Sequence, residues 1–173
     1  MLWHLLRYLS HPVHIRHLKL VVVNLVVPSG ILFMLRSLIK FTIHGKPKAL
    51  KRHRPSARGG YYDPSSKDKK DIWLRIAAYK PNIPYKSNIR MSIRFTMPIP
   101  KSWYRTGKYK HLLKDKYKNI RYHKSKPDLD NLIKLISDVL QPHFYVDDSQ
   151  ICEIYAEKIY GERPNTAVIL EEI

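Results

Sequence analysis

The chain has 173 residues, 44% of them hydrophobic, enough for one packed domain with an added arm. Lys and Arg number 32 against 14 Asp and Glu, a formal charge of +18, so the partners to expect are anionic: nucleic acid first, an acidic membrane surface second. Cys152 is the single cysteine, which excludes an internal disulfide and Cys-based zinc sites and fits a reducing compartment such as the cytoplasm; in its strand it reads as a small buried hydrophobe.

Residues 1–38 form an apolar and basic N-terminal extension. Leu18 to Leu35 is rich in Val, Leu and Ile, but Lys19, Asn24, Pro28, Ser29 and Gly30 interrupt it. A membrane span wants roughly 20 predominantly apolar residues, so this run argues against one. The region lacks acids and carries Arg7 and Arg16, as a targeting segment does, although its Ser content is low for an organelle transit peptide. Met34 offers a third reading, as the native start. Anchor, targeting segment and non-native start stay open together. His11, His14 and His17 read as a solvated helix face.

The ordered domain is expected over residues 39–173. Ile39, Phe41 and Ile43 alternate with polar residues, the period of a half-buried strand that Gly45 ends. Residues 46–58 follow as a basic loop without an acid, in which Lys48, Lys51, Arg52 and Arg54 are candidate phosphate contacts. Gly59 and Gly60 mark a turn. Ser65 or Ser66 is positioned to cap a helix running to about Tyr79, with Ile72, Ile76 and Tyr79 on one face. Lys67, Lys69 and Lys70 in its first turn read as exposed or as DNA contacts. Ile89 to Met97 predicts the clearest strand, with one apolar face and one basic face.

Residues 101–126 hold ten Lys or Arg and the single acid Asp115, interleaved with Trp103, Tyr104, Tyr109, Tyr117 and Tyr122. Cations attract phosphate and aromatic faces stack on unpaired bases. Lys101, Arg105, Lys108, Lys110, Lys114 and Lys126 are the candidate contacts here. The plainer account is a solvated basic helix with some aromatics turned inward.

A helix is predicted from about Asn131 to Leu140, with Leu132, Leu135, Ile136, Val139 and Leu140 as its buried stripe and Asp130, Lys134, Asp138 and Gln141 opposite. Pro142 closes it. Phe144, Tyr145 and Val146 lead into Asp147 and Asp148, then strands over 151–160 and 166–171. Taken singly, these acids are ordinary: Asp130 a cap, Lys134 paired with Asp130 and Asp138, Asp147-Asp148 a turn. Gathered, carboxylates repel one another until a divalent cation or a proton relieves them. Oxygen ligands without Cys or an organised His set suit Mg²⁺ or Mn²⁺, the ions of phosphodiester hydrolysis.

Lys126-Pro127-Asp128-Leu129-Asp130-Asn131-Leu132-Ile133-Lys134, then Asp138-Val139-Leu140 and Asp147-Asp148-Ser149-Gln150-Ile151, resembles the signature of the RusA family of Holliday junction resolvases. The likeness extends more loosely to Ile39–Pro55 and Pro100–Trp103, so it covers Ile39 to Ile173. It implies a homodimeric, Mg²⁺-dependent endodeoxyribonuclease that nicks four-way DNA junctions symmetrically, with Mn²⁺ as a substitute and no small-molecule cofactor. Such an enzyme is expected in the cytoplasm with the nucleoid. Carried over by motif, Asp128, Asp130 and Asp148 are the essential metal ligands, Lys134 assists the chemistry, and Asp147, in the less essential first place of its pair, is a further candidate ligand. One departure is Gln141-Pro142-His143, where many members have a Gly-containing turn. Two other readings stand beside this one: a nuclease for other branched or flapped DNA, and a catalytically silent DNA-binding protein on the same scaffold.

The expected fold is α+β, a mixed β-sheet packed with helices in the order strand, helix, strand, basic segment, helix, strand, strand. If the first two long strands are parallel neighbours, their crossover is right-handed.

Overall fold

The computed structural model describes residues 37–57 and 59–173; the readings placed on residues 1–36 lie outside them. Eight elements follow in order: β1 (Leu38–His44), β2 (Arg54–Pro55), β3 (Tyr61–Tyr62), α1 (Ser66–Ile76), β4 (Ile89–Pro98), α2 (Leu129–Leu140), β5 (Ile151–Gly161) and β6 (Asn165–Glu172). A tight helical turn extends α1 to Tyr79. β2 and β3 pair with each other as a small separate ribbon. The other four strands form one sheet in the order β1-β6-β4-β5.

That sheet is mixed: β1/β6 and β4/β6 are antiparallel, and β4/β5 is parallel. A parallel pair needs a long crossover, and residues 99–150 with α2 supply it. β1 and β4 are parallel but are not neighbours. β6 lies between them because Thr166, Val168 and Leu170 make the centre of the core and are almost fully buried. The result is an α+β fold with two helices on a mixed sheet.

Alternation decides which sheet face is covered. Ile89, Met91, Ile93 and Phe95 of β4 pack with Phe41, Ile43, Val168 and Leu170 against Ile72 and Ile76 of α1 and the whole apolar stripe of α2. Each such side chain contributes roughly 1.5–3 kcal/mol on burial. All five predicted stripe residues of α2 are buried. The opposite face of β4 is not the basic surface that its sequence predicts. Arg90 lies between Glu153 of β5 (2.5 Å) and Glu171 of β6 (3.0 Å), and Arg94 pairs with Glu157. The neighbouring strands bring the carboxylates that neutralise it.

Two further expectations change. Ser65 does not cap α1 with its side chain. It is fully buried, and its hydroxyl accepts the Lys51 amide (2.8 Å) while Asp63 accepts the Ser65 amide (2.7 Å), so it anchors the basic loop instead. Cys152 is exposed. The β4/β5 register slips between Ile89–Ile151 and Arg90–Glu153, which makes Cys152 the extra residue of a bulge on an edge strand.

Residues 101–126 form three short helical turns and no long helix. Trp103 stacks on Tyr117 at 4.4 Å and leans on Tyr160 of β5 at 4.5 Å, so the segment has a small aromatic core. The bonds His123 N–H to Lys158 O and Tyr160 N–H to Arg121 O, both 2.9 Å, tie it to β5. Tyr109 and Tyr122 stay exposed. No helix among the described residues is long and apolar enough to cross a membrane.

Candidate active site

The site begins where the chain enters α2. The Lys158 ammonium donates to the Ser125 carbonyl (2.8 Å) and the Pro127 carbonyl (2.6 Å), so β5 holds the approach. Asp128, and not Asp130, is the N-cap residue, and its exposed carboxylate makes no capping bond. Asp130 lies in the first turn, where the helix dipole favours an anion. Lys134 stands one turn on, its ammonium 3.5 Å from the Asp130 carboxylate. Both groups are more than half exposed, so the pair adds little to stability. What it provides is a cation beside an anion on one helix face.

Asp138, one turn further, does not pair with Lys134. It meets Lys69 of α1 at 2.8 Å, and the same ammonium reaches Asp63 at 2.9 Å. The two carboxylates outweigh the burial of Lys69 and raise its pKa. The Lys69 and Ser65 hydrogen bonds hold the Asp63 carboxyl below its usual 3.8. Lys69 is therefore a clamp that ties α1, and Asp63 just before it, to α2.

The second acidic pair is set by a turn. The Asp147 carboxylate accepts the Ser149 amide at 2.9 Å, and Gln150 Oε1 accepts the Asp147 amide at 2.9 Å, a capping box. Bonding from Ser149 lowers the Asp147 pKa. Gln150 Nε2 donates to the carbonyls of Tyr85 (3.0 Å) and Ser87 (2.9 Å), which fastens the turn beside β4. Asp147 is thus engaged in backbone bonding. Asp148 is exposed, and the bulge at Cys152 pairs Ile151 with Ile89 and Ile154 with Met91, so both face the helix side of the sheet.

These pieces enclose an open basin of about 320 Å³. Asp130, Asp138, Asp148 and Lys134 line it together with Ser137, Ile133, Ile151 and Ile154. Asp128 is not among the lining residues. Among the described residues no three His, Cys, Asp or Glu side chains stand close enough to hold a metal ion as a ready-made set. Behind the basin the fully buried Tyr145 donates to the Ser137 carbonyl at 3.0 Å, and burial drives its pKa up, so the hydroxyl stays a donor.

The family described as Endodeoxyribonuclease RusA matches residues 44–171, which include every residue of the basin. The chain belongs to that family. It is similar to the uncharacterized protein YqaN of Bacillus subtilis (strain 168), with 31% identity over 78% of this chain and 96% of that protein. It is also similar to a crossover junction endodeoxyribonuclease, rusA, of Lactococcus phage r1t, with 24% identity over 65% of this chain and 78% of that protein.

In this RusA-family chain the candidate DNA contacts divide. Lys48 and Lys51 both meet Asp68 of α1, at 3.5 and 3.0 Å, which fastens the loop and reduces its net charge. The Leu50 amide donates to the Asn131 carbonyl at 2.9 Å, so the loop is also tied to α2. Arg105 pairs with Asp115 at 2.8 Å, and Lys114 donates to the Ser102 carbonyl at 2.8 Å. Lys108 lies over the Tyr109 ring. Arg52, Arg54, Lys101, Lys110 and Lys126 are exposed without an ion pair among the described residues. Sequence reasoning missed Lys69, Lys158 and Gln150 as the residues that position the site. Gln150 was detectable as the residue three places after Asp147 in a capping box; the lysines had no local signal.

Proposed function

We propose that this RusA-family chain is a divalent-metal-dependent endodeoxyribonuclease that resolves four-way DNA junctions, acting as a homodimer that nicks two opposed strands. The observation that supports this most is the meeting of Asp130, Asp148 and Lys134 in one open basin on a strongly basic protein. The name of the phage relative supplies the junction substrate.

The donors fit a hard cation, because they are carboxylate oxygens at an exposed surface. With so few protein ligands, such an ion keeps much of its water, a habit of Mg²⁺. We assign Asp128, Asp130 and Asp148 to hold it, with Mn²⁺ as an alternative ion and Asp147 left to its capping role. Held there, the ion would supply an activated water and offset phosphate charge. Lys134 places a second positive charge beside the scissile phosphate, where charge grows in the transition state. Ile133, Ile151 and Ile154 bound the basin with apolar surface that strengthens these interactions. Lys48, Lys51, Arg52 and Arg54 on one side, and Lys101, Arg105, Lys108, Lys110, Lys114 and Lys126 on the other, grip the arms.

The test is a synthetic four-way junction with each strand labelled in turn, with and without Mg²⁺. Paired nicks at symmetric positions that require the metal are expected. Tight binding without nicks at any metal concentration would leave a silent DNA-binding protein. A preference for flaps would leave a different branched-DNA nuclease.

The arms make a separate prediction. Lys108→Ala together with Lys110→Ala should lower the slope of log K against log salt by roughly two, since each phosphate contact contributes about 0.9. Junction titrations between 50 and 200 mM salt measure it. An unchanged slope would remove both lysines from the contact surface.

A further inference from the structure

The β2–β3 ribbon carries two exposed tyrosines. Tyr61 is 78% exposed and Tyr62 is 48% exposed. Tyr61 lies opposite Pro55 and Tyr62 opposite Arg54. The chain returns through Gly59 and Gly60, whose φ values of 84° and 78° suit glycine. Successive strand residues point to opposite faces, so one tyrosine ring lies on each side of the ribbon.

Two exposed rings side by side leave apolar area in water that a stacking partner would cover. Their surroundings indicate an anionic partner: Arg52 and His53 precede the ribbon, Arg54 lies in it, and all three are exposed. The ribbon is not a loose appendage. Asp63 follows Tyr62 directly, and the chain Asp63–Lys69–Asp138 links its base to a carboxylate of the cleavage basin through contacts of 2.9 and 2.8 Å.

We infer that the ribbon is a two-sided wedge for the branch point of DNA, with Tyr61 and Tyr62 each stacking on an unstacked base face. Intact duplex offers no such face, whereas a branch point interrupts stacking between arms. Rings on both sides of a basic ribbon suit a gap between two arm ends, and stacking tolerates any base sequence. The Lys69 clamp then sets the distance from the branch point to the scissile phosphate. This inference rests on the branched-DNA reading above.

The experiment uses the full chain and a four-way junction carrying 2-aminopurine at a branch-point base, with Ca²⁺ replacing Mg²⁺ during binding. A linear duplex of the same length and the unlabelled junction with Mg²⁺ complete it. Wild type should quench the probe in the junction. Tyr61→Ala with Tyr62→Ala should abolish the quench and weaken junction binding roughly tenfold or more, with duplex binding unchanged. Tyr61→Phe with Tyr62→Phe should restore both, since only the ring face is needed. A wild type that nicks the junction while the alanine pair still quenches and binds as before overturns the wedge alone. Equal loss on junction and duplex also overturns it, since the rings would then be general backbone contacts. A wild type that neither nicks nor prefers branched DNA overturns the functional reading, and the wedge with it.

Discussion

Asp130→Asn should reduce nicking of a four-way junction by roughly a thousandfold or more, with junction affinity unchanged or higher. Asparagine keeps the size and helix position of the side chain and removes its charge. Stabilising the developing phosphate charge through a metal is worth several kcal/mol, and each 1.36 kcal/mol is about tenfold in rate. Binding should not suffer, because a carboxylate facing phosphate repels it. The Lys134 ammonium 3.5 Å away also loses its counter-charge and becomes freer to meet DNA. Single-turnover cleavage with saturating protein, alongside binding in Ca²⁺, separates the two effects. Asp147→Asn is the internal contrast: its oxygens accept the Ser149 amide, so it should cost far less activity. Nicking by the Asp130 variant within about tenfold of wild type, a difference of only ~1.4 kcal/mol, would remove Asp130 from the chemistry.

Phe144→Ala should be the most destabilising single change outside the site. The ring is fully buried, sits 5.6 Å from Phe41, and fills the space between β1 and the end of α2. Truncating such a phenylalanine costs about 3–5 kcal/mol, a large share of the roughly 5–15 kcal/mol that holds a domain together. For a domain of this size that lowers Tm by roughly 10–20 °C. Nicking at low temperature should survive. The backbone bonds that carry the chain toward Asp148, Phe144 N–H to Leu140 O (2.8 Å) and Tyr85 N–H to Phe144 O (2.9 Å), do not need the ring. Scanning calorimetry and a low-temperature cleavage assay check the two halves. A drop of only a degree or two would mean that the ring is not a core element.

Much of the fold was legible because its signals are local. The alternation of Ile39, Phe41 and Ile43, the long alternation from Ile89 to Met97, and the apolar stripe of α2 each depend on one backbone period, and each formed as that period requires. The acidic motif was legible for the same reason, since Asp130 and Lys134 are one helical turn apart. Residues 101–126 were less so. Their charge masked a small aromatic core whose ring, Tyr160, comes from a strand far along the chain.

Charge partnership was not legible. Lys69 read as an exposed or DNA-binding cation, and it is the clamp between Asp63 and Asp138. Arg90 and Arg94 read as a basic face, and Glu153, Glu157 and Glu171 neutralise them. Lys158 carried no reading of its own, and it holds the carbonyl of Pro127 at the mouth of the site. A long charged side chain chooses its partner from whatever element lies beside it, and that depends on strand order. Here β6, at the end of the chain, inserts between β1 and β4 and brings Glu171 to Arg90, while β5 takes the edge and brings Glu153. The bulge at Cys152 belongs to the same class: one residue of register turns Ile151 and Ile154 to a common side and completes the basin. Backbone period and spacing therefore settle the elements and the acidic signature, because both act within a few residues. The neutralised sheet face, the clamp on Asp138 and the shape of the basin arise only when distant strands pack, because electrostatic contacts follow proximity in space and leave no period in the chain.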